Sequence, residues 1–240
     1  MSSTPVSPGL VSPGLVVAID GTSGSGKSST SRAVAARLGL RYLDTGAMFR
    51  AITWWMLQQG VDVQSPAAVA SRAEEPLIAC GTDPAHPEIT VDGVDVSVAI
   101  RGPEVNAAVS PVSAVPEVRA RLLALQREVI GAGGIVVEGR DIGSVVAPDA
   151  PVKIYLSADP AARAERRALE EGGSDLGATE ASLVARDEID SSRATAPLTM
   201  AEGAVNLDTT AHTLDEVIEQ VLALVASVSA DAGAAAGESA

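Results

Sequence analysis

Aromatic side chains make up only 2% of the 240 residues, and cysteine occurs once, as Cys80. A single thiol excludes both an intramolecular disulfide and a thiolate zinc cluster, and it makes a reducing compartment, the cytoplasm, the expected location. Basic residues are also scarce: 17 Lys and Arg face 31 Asp and Glu, for a net charge of −14. That balance disfavours non-specific attraction to nucleic acid or anionic lipid, so neither is an expected partner. Any anionic ligand therefore needs a local basic pocket. No apolar run reaches the ~18 residues of a membrane span, and the N-terminus lacks the basic start and apolar stretch of a signal peptide. The two histidines, His86 and His212, belong to no metal-ligand cluster and are given no role. What the chain does have is 46% hydrophobic residues, enough for the core of about one or two domains.

The ends stand apart from this material. Val6-Ser7-Pro8-Gly9-Leu10 repeats directly as Val11-Ser12-Pro13-Gly14-Leu15, a turn-rich duplication, so residues 1–14 read as a disordered tail. Beyond Val228 the chain is Ala, Gly, Ser and two acids, and residues 229–240 read as a second tail. Between them, the run Leu15-Val16-Val17-Ala18-Ile19 reads as a strand buried on both faces, followed by a helix from about Lys27 to Leu38 that Gly39 stops. Buried strands are expected again at residues 135–138, 152–156 and 204–207, with helices near 117–130, 159–171, 179–191 and 213–226. The alternation predicts an α/β fold with a parallel sheet flanked by helices and a ligand site beyond the carboxyl ends of the strands. One stretch breaks it. Glu88-Ile89-Thr90-Val91 and Val94-Asp95-Val96-Ser97 flank Asp92-Gly93, a strong two-residue hairpin signal. With a helix near 66–73, residues 62–110 read as a small inserted subdomain.

Gly21-Thr22-Ser23-Gly24-Ser25-Gly26-Lys27-Ser28 fits G-x-x-x-x-G-K-[ST], and it lies between strand and helix, as that phosphate-binding loop requires. Its glycines let backbone N–H groups turn inward on phosphate oxygens, the helix N-terminus adds a positive dipole end, and Lys27 reaches the β- and γ-phosphates. The Ser28 hydroxyl is a candidate Mg²⁺ ligand, and Gly21 to Ser28 with the adjoining Ser29 are the candidate ATP-binding residues. An Asn-Lys-x-Asp tetrapeptide, which reads guanine, is missing, so a small-molecule kinase fits better than a GTPase. Such a kinase needs arginines for a second anion. Thr45 reads as a helix start with Arg50 five residues on, and Gly139-Arg140-Asp141 puts an arginine and a carboxylate at a strand's carboxyl end. Trp54, Trp55 and Met56 read as helix core.

These segments resemble the bacterial CMP/dCMP kinases, a branch of the nucleoside monophosphate kinases. The likeness runs from about Leu15 to Ala226. It rests on Ile19-Asp20-Gly21, on Leu43-Asp44-Thr45-Gly46-Ala47-Met48-Phe49-Arg50, and on Ile100-Arg101 with Asn106 and Ser110. Further support lies in Glu138-Gly139-Arg140-Asp141-Ile142-Gly143, Ala150 to Leu156, and Arg186 to Pro197. The resemblance implies a P-loop fold with a five-stranded parallel sheet, a nucleotide-binding insert and a lid at about 170–180. It implies ATP, with Mg²⁺, and CMP or dCMP as substrates; no obligate protein partner is evident, and a cytoplasmic monomer is expected. By resemblance Arg50, Arg140 and Arg193, with Thr45 nearby, grip the acceptor phosphate. The base meets Ser110, Arg119 and Asp141, the sugar meets Arg186 and Asp190, and Arg163 and Arg167 are lid residues on the ATP phosphates. The family often has tyrosine where this chain has Phe49, which cannot hydrogen-bond a sugar. Lys27 and the arginines are the expected catalytic groups, and Asp20 and Asp44 are expected to support them indirectly. The rival readings are a kinase of another acceptor, such as UMP or shikimate, and a non-catalytic ATP-binding regulator.

Overall fold

A computed structural model describes residues 14–170, 175–192 and 196–237. Strand β1 (Val16–Gly21) leads through the phosphate loop into helix α1 (Lys27–Leu38), which ends at Gly39 in the left-handed region, φ 65°. Strand β2 (Arg41–Asp44) and helix α2 (Thr45–Gln58) follow. The insert contains α3 (Pro66–Ser71), β3 (Ile78–Cys80), β4 (Ile89–Val91) and β5 (Val94–Asp95), and α4 (Pro103–Ser113) crosses its expected end at residue 110. Then come α5 (Pro116–Ile130), β6 (Ile135–Gly139), a π-helical turn at Ile142–Val146, and β7 (Val152–Ser157). The chain finishes with α6 (Pro160–Glu170), α7 (Leu176–Ser192), β8 (Val205–Asp208) and α8 (Leu214–Gly237).

The five parallel strands lie in the order β2-β6-β1-β7-β8, and β3-β4-β5 form a separate antiparallel sheet. β1 occupies the centre because its run of apolar residues can be buried on both faces: Val17 and Ile19 face α1 and α8, while Ala18 faces α2, α5 and the insert. In the register, Ala18 stands beside Val137 of β6 and Lys153 of β7. The insert is tied down through Asp92, which accepts hydrogen bonds from Trp55 Nε1 and the Leu77 amide, both at 2.8 Å. Trp55 therefore belongs to the packing, as its helical position suggests.

Several expectations change. The 204–207 strand is an edge rather than a buried strand: Val205 and Asn206 are exposed. Helix α8 continues to Gly237 through a segment that composition marks as a tail, because alanine favours helix even without an anchoring apolar face. Residues 1–13 lie outside the described residues, and so do 171–174 within the expected lid. The lid's other end, from Leu176, is already helix α7. Among the described residues, no helix is long and apolar enough to cross a membrane.

Candidate active site

Three neighbouring strands end on the same edge of the sheet: β1 at Gly21, β2 at Asp44 and β6 at Gly139. They deliver the phosphate loop, the start of α2 and the Gly139-Arg140-Asp141 turn to one place. Gly21 has φ 147°, and a Cβ there would meet the Leu156 carbonyl oxygen at 2.0 Å, so this loop must begin with glycine. At its other end Gly26 caps α1 without a side-chain hydrogen bond, which leaves the first amides of the helix available to an anion.

Lys27 Nζ donates to the Thr22 carbonyl at 2.6 Å. Burial, then Arg140, lowers its ammonium to about 8, with Glu138 and Asp187 opposing. The Ser28 hydroxyl donates to Glu138 Oε2 at 3.0 Å, and the Tyr42 hydroxyl donates to Glu138 Oε1. Burial, then Asp44, raises the Glu138 carboxyl to about 7, against the pull of Lys27. Sequence reasoning counted Glu138 as strand and assigned it nothing. Its sequence signal was an acid ending an otherwise apolar strand, directly before Gly139-Arg140-Asp141.

The cleft over this loop encloses about 400 Å³ and, among the described residues, is lined by Lys27, Arg32, Arg50, Arg101, Arg140, Arg167 and Arg186, with Asp44 and Glu138 as the acids. Seven cations against two acids make it the basic pocket that an acidic chain requires for an anionic ligand. Arg50 donates to the Ile100 carbonyl at 3.1 Å and to Asn106 Oδ1 at 2.6 Å. Burial, followed by Arg167 and Arg101, lowers it to about 10. Arg186 is lowered to about 9, by burial first and then by Arg140, and its buried Nε has no hydrogen-bond partner among the described residues. Concentrated guanidinium groups with an unmet donor suit a polyanion.

Next to the cleft is a small chamber of about 50 Å³ containing Thr45, Phe49, Ser113, Arg119, Asp141, Arg186 and Asp190, and Arg140 lines both spaces. Arg119 pairs with Asp141, donates to the Ser113 carbonyl at 3.2 Å, and lies 5.2 Å from the Phe49 ring centre. The Asp141 turn is held from below by Asp20, whose oxygens accept from the Ile142 amide at 2.7 Å and the Gly143 amide at 2.8 Å. Burial raises Asp20 to about 6 even though those two amides oppose it. Asp20 thus holds the backbone of the turn that carries Asp141.

Not every expected residue gathers here. Ser110 lines the neighbouring cleft of about 480 Å³ between α4 and α7, while Ser113, three positions on, lines the chamber together with Thr45. Thr45 is not the cap of α2. Asp44 is, accepting from the Ala47 amide at 2.9 Å, and Thr45 Oγ1 instead donates to the Glu138 carbonyl at 2.8 Å. Arg167 lines the cleft, whereas Arg163 is buried, donating to the Ser23 carbonyl at 3.1 Å and pairing with Asp187. Arg193 lies outside the described residues. Ser29 is exposed at the mouth of the cleft. It also lines a separate cavity of about 220 Å³, whose walls include Arg166, Thr209, His212 and Val217.

The chain is similar to known proteins over most of its length. The chain is 61% identical over 213 residues to the cytidylate kinase of Streptomyces griseus, covering 88% of this chain and 92% of that protein. It is 54% identical over 217 residues to the cytidylate kinase of Nocardia farcinica, covering 88% and 94%. A crystal structure of an uncharacterized protein from Eubacterium ventriosum shares the fold alone, at TM-score 0.50 and 10% identity, over 89% of this chain and 99% of that one. The cytidylate kinase family model matches residues 17–227, which include the phosphate loop, the arginine cleft and the Arg119–Asp141 chamber, and the chain belongs to that family of kinases.

Proposed function

We propose that the protein transfers the γ-phosphoryl group of ATP to a phosphate oxygen of CMP or dCMP, giving ADP and CDP or dCDP. The observation that carries this reading is Arg140, which lines both the phosphate cleft and the Arg119–Asp141 chamber, so that two anionic ligands would meet at one guanidinium. The donor's phosphates take the loop amides and Lys27, and its base takes the cavity beside Arg166 and Thr209. The acceptor phosphate takes Arg50, Arg140, Arg186 and Arg193, whose planar forks match phosphate oxygens; even Arg186 and Arg50, lowered to about 9 and about 10, keep their charge at neutral pH. An attacking phosphate oxygen is already anionic, so no general base is needed. The side chains align two polyanions in line and neutralise the charge spread over the transferring group. Arg163 and Arg167 come from the lid side, with Arg167 already in the cleft.

Among the described residues, no three His, Cys, Asp or Glu stand together as a protein-only metal site. A hydroxyl and a buried carboxylate, Ser28 and Glu138, fit Mg²⁺, which takes oxygen ligands and keeps most of its shell for water and substrate phosphate. When bound with ATP, that ion supplies positive charge to the β- and γ-phosphate oxygens.

Cytosine selection follows from the chamber. Asp141 can accept from the exocyclic amine of cytosine and would meet the carbonyl oxygen of uracil instead, a difference of about 1–3 kcal/mol. Phe49 offers the sugar no hydrogen bond, which leaves room for both riboses. A coupled ADP assay over a nucleotide panel tests the reading. CMP and dCMP should support turnover, and UMP should have kcat/KM lower by roughly 5- to 150-fold. Lys27→Ala should lower kcat by about 100-fold or more. Equal use of CMP and UMP, or an unimpaired Lys27→Ala variant, would overturn it.

A further inference from the structure

Asp187, on α7, was not among the residues that sequence reasoning selected, yet it joins three parts of the site. Its Oδ1 accepts from Arg140 Nη1 at 3.2 Å and from the Ser23 amide of the phosphate loop at 3.3 Å. Its Oδ2 pairs with Arg163 Nη1, which also donates to the Ser23 carbonyl at 3.1 Å. One helical turn later Asp190 Oδ2 lies 2.8 Å from Arg140 Nε. Two carboxylates spaced i, i+3 on one helix thus hold the Arg140 guanidinium at two of its nitrogens, Nη1 and Nε. Asp187 lines neither the phosphate cleft nor the chamber, whereas Arg140 lines both.

We propose that Asp187 is a positioning residue for phosphoryl transfer, fixing the Arg140 guanidinium between the two nucleotides and braced by Arg163 and Ser23. This role rests on Arg140 meeting the acceptor phosphate as proposed above. Arginine carries its charge on a long flexible stem, and in-line transfer tolerates little misalignment: an error of about 1 Å costs on the order of 100-fold in rate. A lone carboxylate so close to a dianionic substrate would repel it. Arg163 offsets that charge, so Asp187 can orient Arg140 without emptying the cleft of positive potential. The same carboxylate ties α7, beyond the lid, to the rim of the loop that holds ATP.

Asp187→Asn keeps the size and removes the charge. With ATP and CMP, kcat is expected to fall at least tenfold while KM for CMP changes less than threefold, because losing a nearby negative charge favours the dianion even as alignment is lost. A double-mutant cycle separates positioning from bulk structure. Added to Arg140→Ala, Asp187→Asn should cost less than a further twofold, since the group it acts through is gone. Asp187→Glu, which retains the charge one methylene further out, should give a kcat between those of wild type and Asp187→Asn, and it serves if the Asn variant does not fold. A folded Asp187→Asn variant with kcat within twofold of wild type, an Asp187→Glu variant no faster than Asp187→Asn (or, if the Asn variant does not fold, one with the full wild-type kcat), or an equal loss with and without Arg140, would overturn the role of Asp187 while leaving the proposed reaction intact. A wild-type protein that phosphorylates no nucleotide would overturn the reaction itself.

Discussion

Lys27 combines a legible and an illegible contribution to the site. Its place in the loop motif marks it as a phosphate ligand, but nothing in the sequence states that burial and Arg140 press its ammonium down to about 8. The consequence is a pH dependence with a definite sign. A lysine with a lowered pKa loses its charge as pH rises through that value, so the free protein should lose affinity for ATP above about pH 8. Bound triphosphate brings negative charge beside the ammonium and raises its pKa again. Accordingly kcat/KM for ATP should decline on the alkaline side with an apparent pKa near 8, while kcat at saturating nucleotide holds to higher pH, since the two profiles report free and bound enzyme respectively. The CMP phosphate does not produce this limb, because the second ionisation of a phosphate monoester, with a pKa of roughly 6, is nearly complete by about pH 8. A kcat/KM for ATP that stays level from about pH 7 to about pH 9.5 would remove the buried ammonium from ATP capture. Glu138 and Asp187 illustrate what residue-level reading misses. Acids on a strand or on a helix look alike whether solvated or buried, and only the three-dimensional approach of Ser28, Tyr42, Arg140 and Arg163 gives these two a task.

At the scale of elements, the site depends on how closely β6, α2 and the Arg140-Asp141 turn converge. Gly139 marks their meeting point: a Cβ there would lie 2.5 Å from Thr45 Oγ1 and 2.6 Å from Ile142 Cδ1. Since Thr45 Oγ1 is engaged by the Glu138 carbonyl and Ile142 is fully buried, neither side can yield cheaply. Gly139→Ala should therefore cost about 1–3 kcal/mol of overpacking. For a chain of this length that corresponds to a Tm lower by about 2–12 °C. Because the displaced turn carries Arg140 and Asp141, KM for CMP should rise with it. An unchanged Tm and an unchanged KM for CMP would show that the turn has slack. The elements that sequence reading found are those whose local chemistry agrees with their burial: the apolar β1 run, the loop glycines and the Asp92-Gly93 hairpin. Those it did not find have local signals that point elsewhere. β2 has just two apolar residues between Arg41 and Asp44, and its burial comes from pairing with β6. In α4, Pro103 and Pro111 read as breakers, although Pro103 sits at the first helical position, where it lacks no hydrogen bond. The Thr45 hydroxyl looked like a cap because Thr and Asp are both capping residues, and the backbone chose Asp44.

The whole molecule poses an electrostatic problem that no single residue states. A protein of net charge −14 must admit two anionic substrates through a cleft that, among the described residues, is lined by seven cations and two acids. The two fields act over different distances, and salt separates them. At about 0.01 M ionic strength the Debye length is about 30 Å, longer than the ~18 Å radius of gyration expected at this length, so an approaching nucleotide feels the acidic surface as a whole. At 0.15 M it is about 8 Å, and only the guanidinium groups around the cleft still act on a ligand at its mouth. Repulsion should thus be screened before attraction is. The kcat/KM for CMP, measured at fixed magnesium and saturating ATP, should climb with the first additions of an inert salt, pass through a maximum and then fall as contacts with the arginines weaken. Removing surface acids remote from the cleft should flatten the climb and leave the decline. A rate constant that only falls from the lowest salt upward would mean that the cleft's own field dominates at every distance, and that the acidic surface plays no part in how substrates arrive.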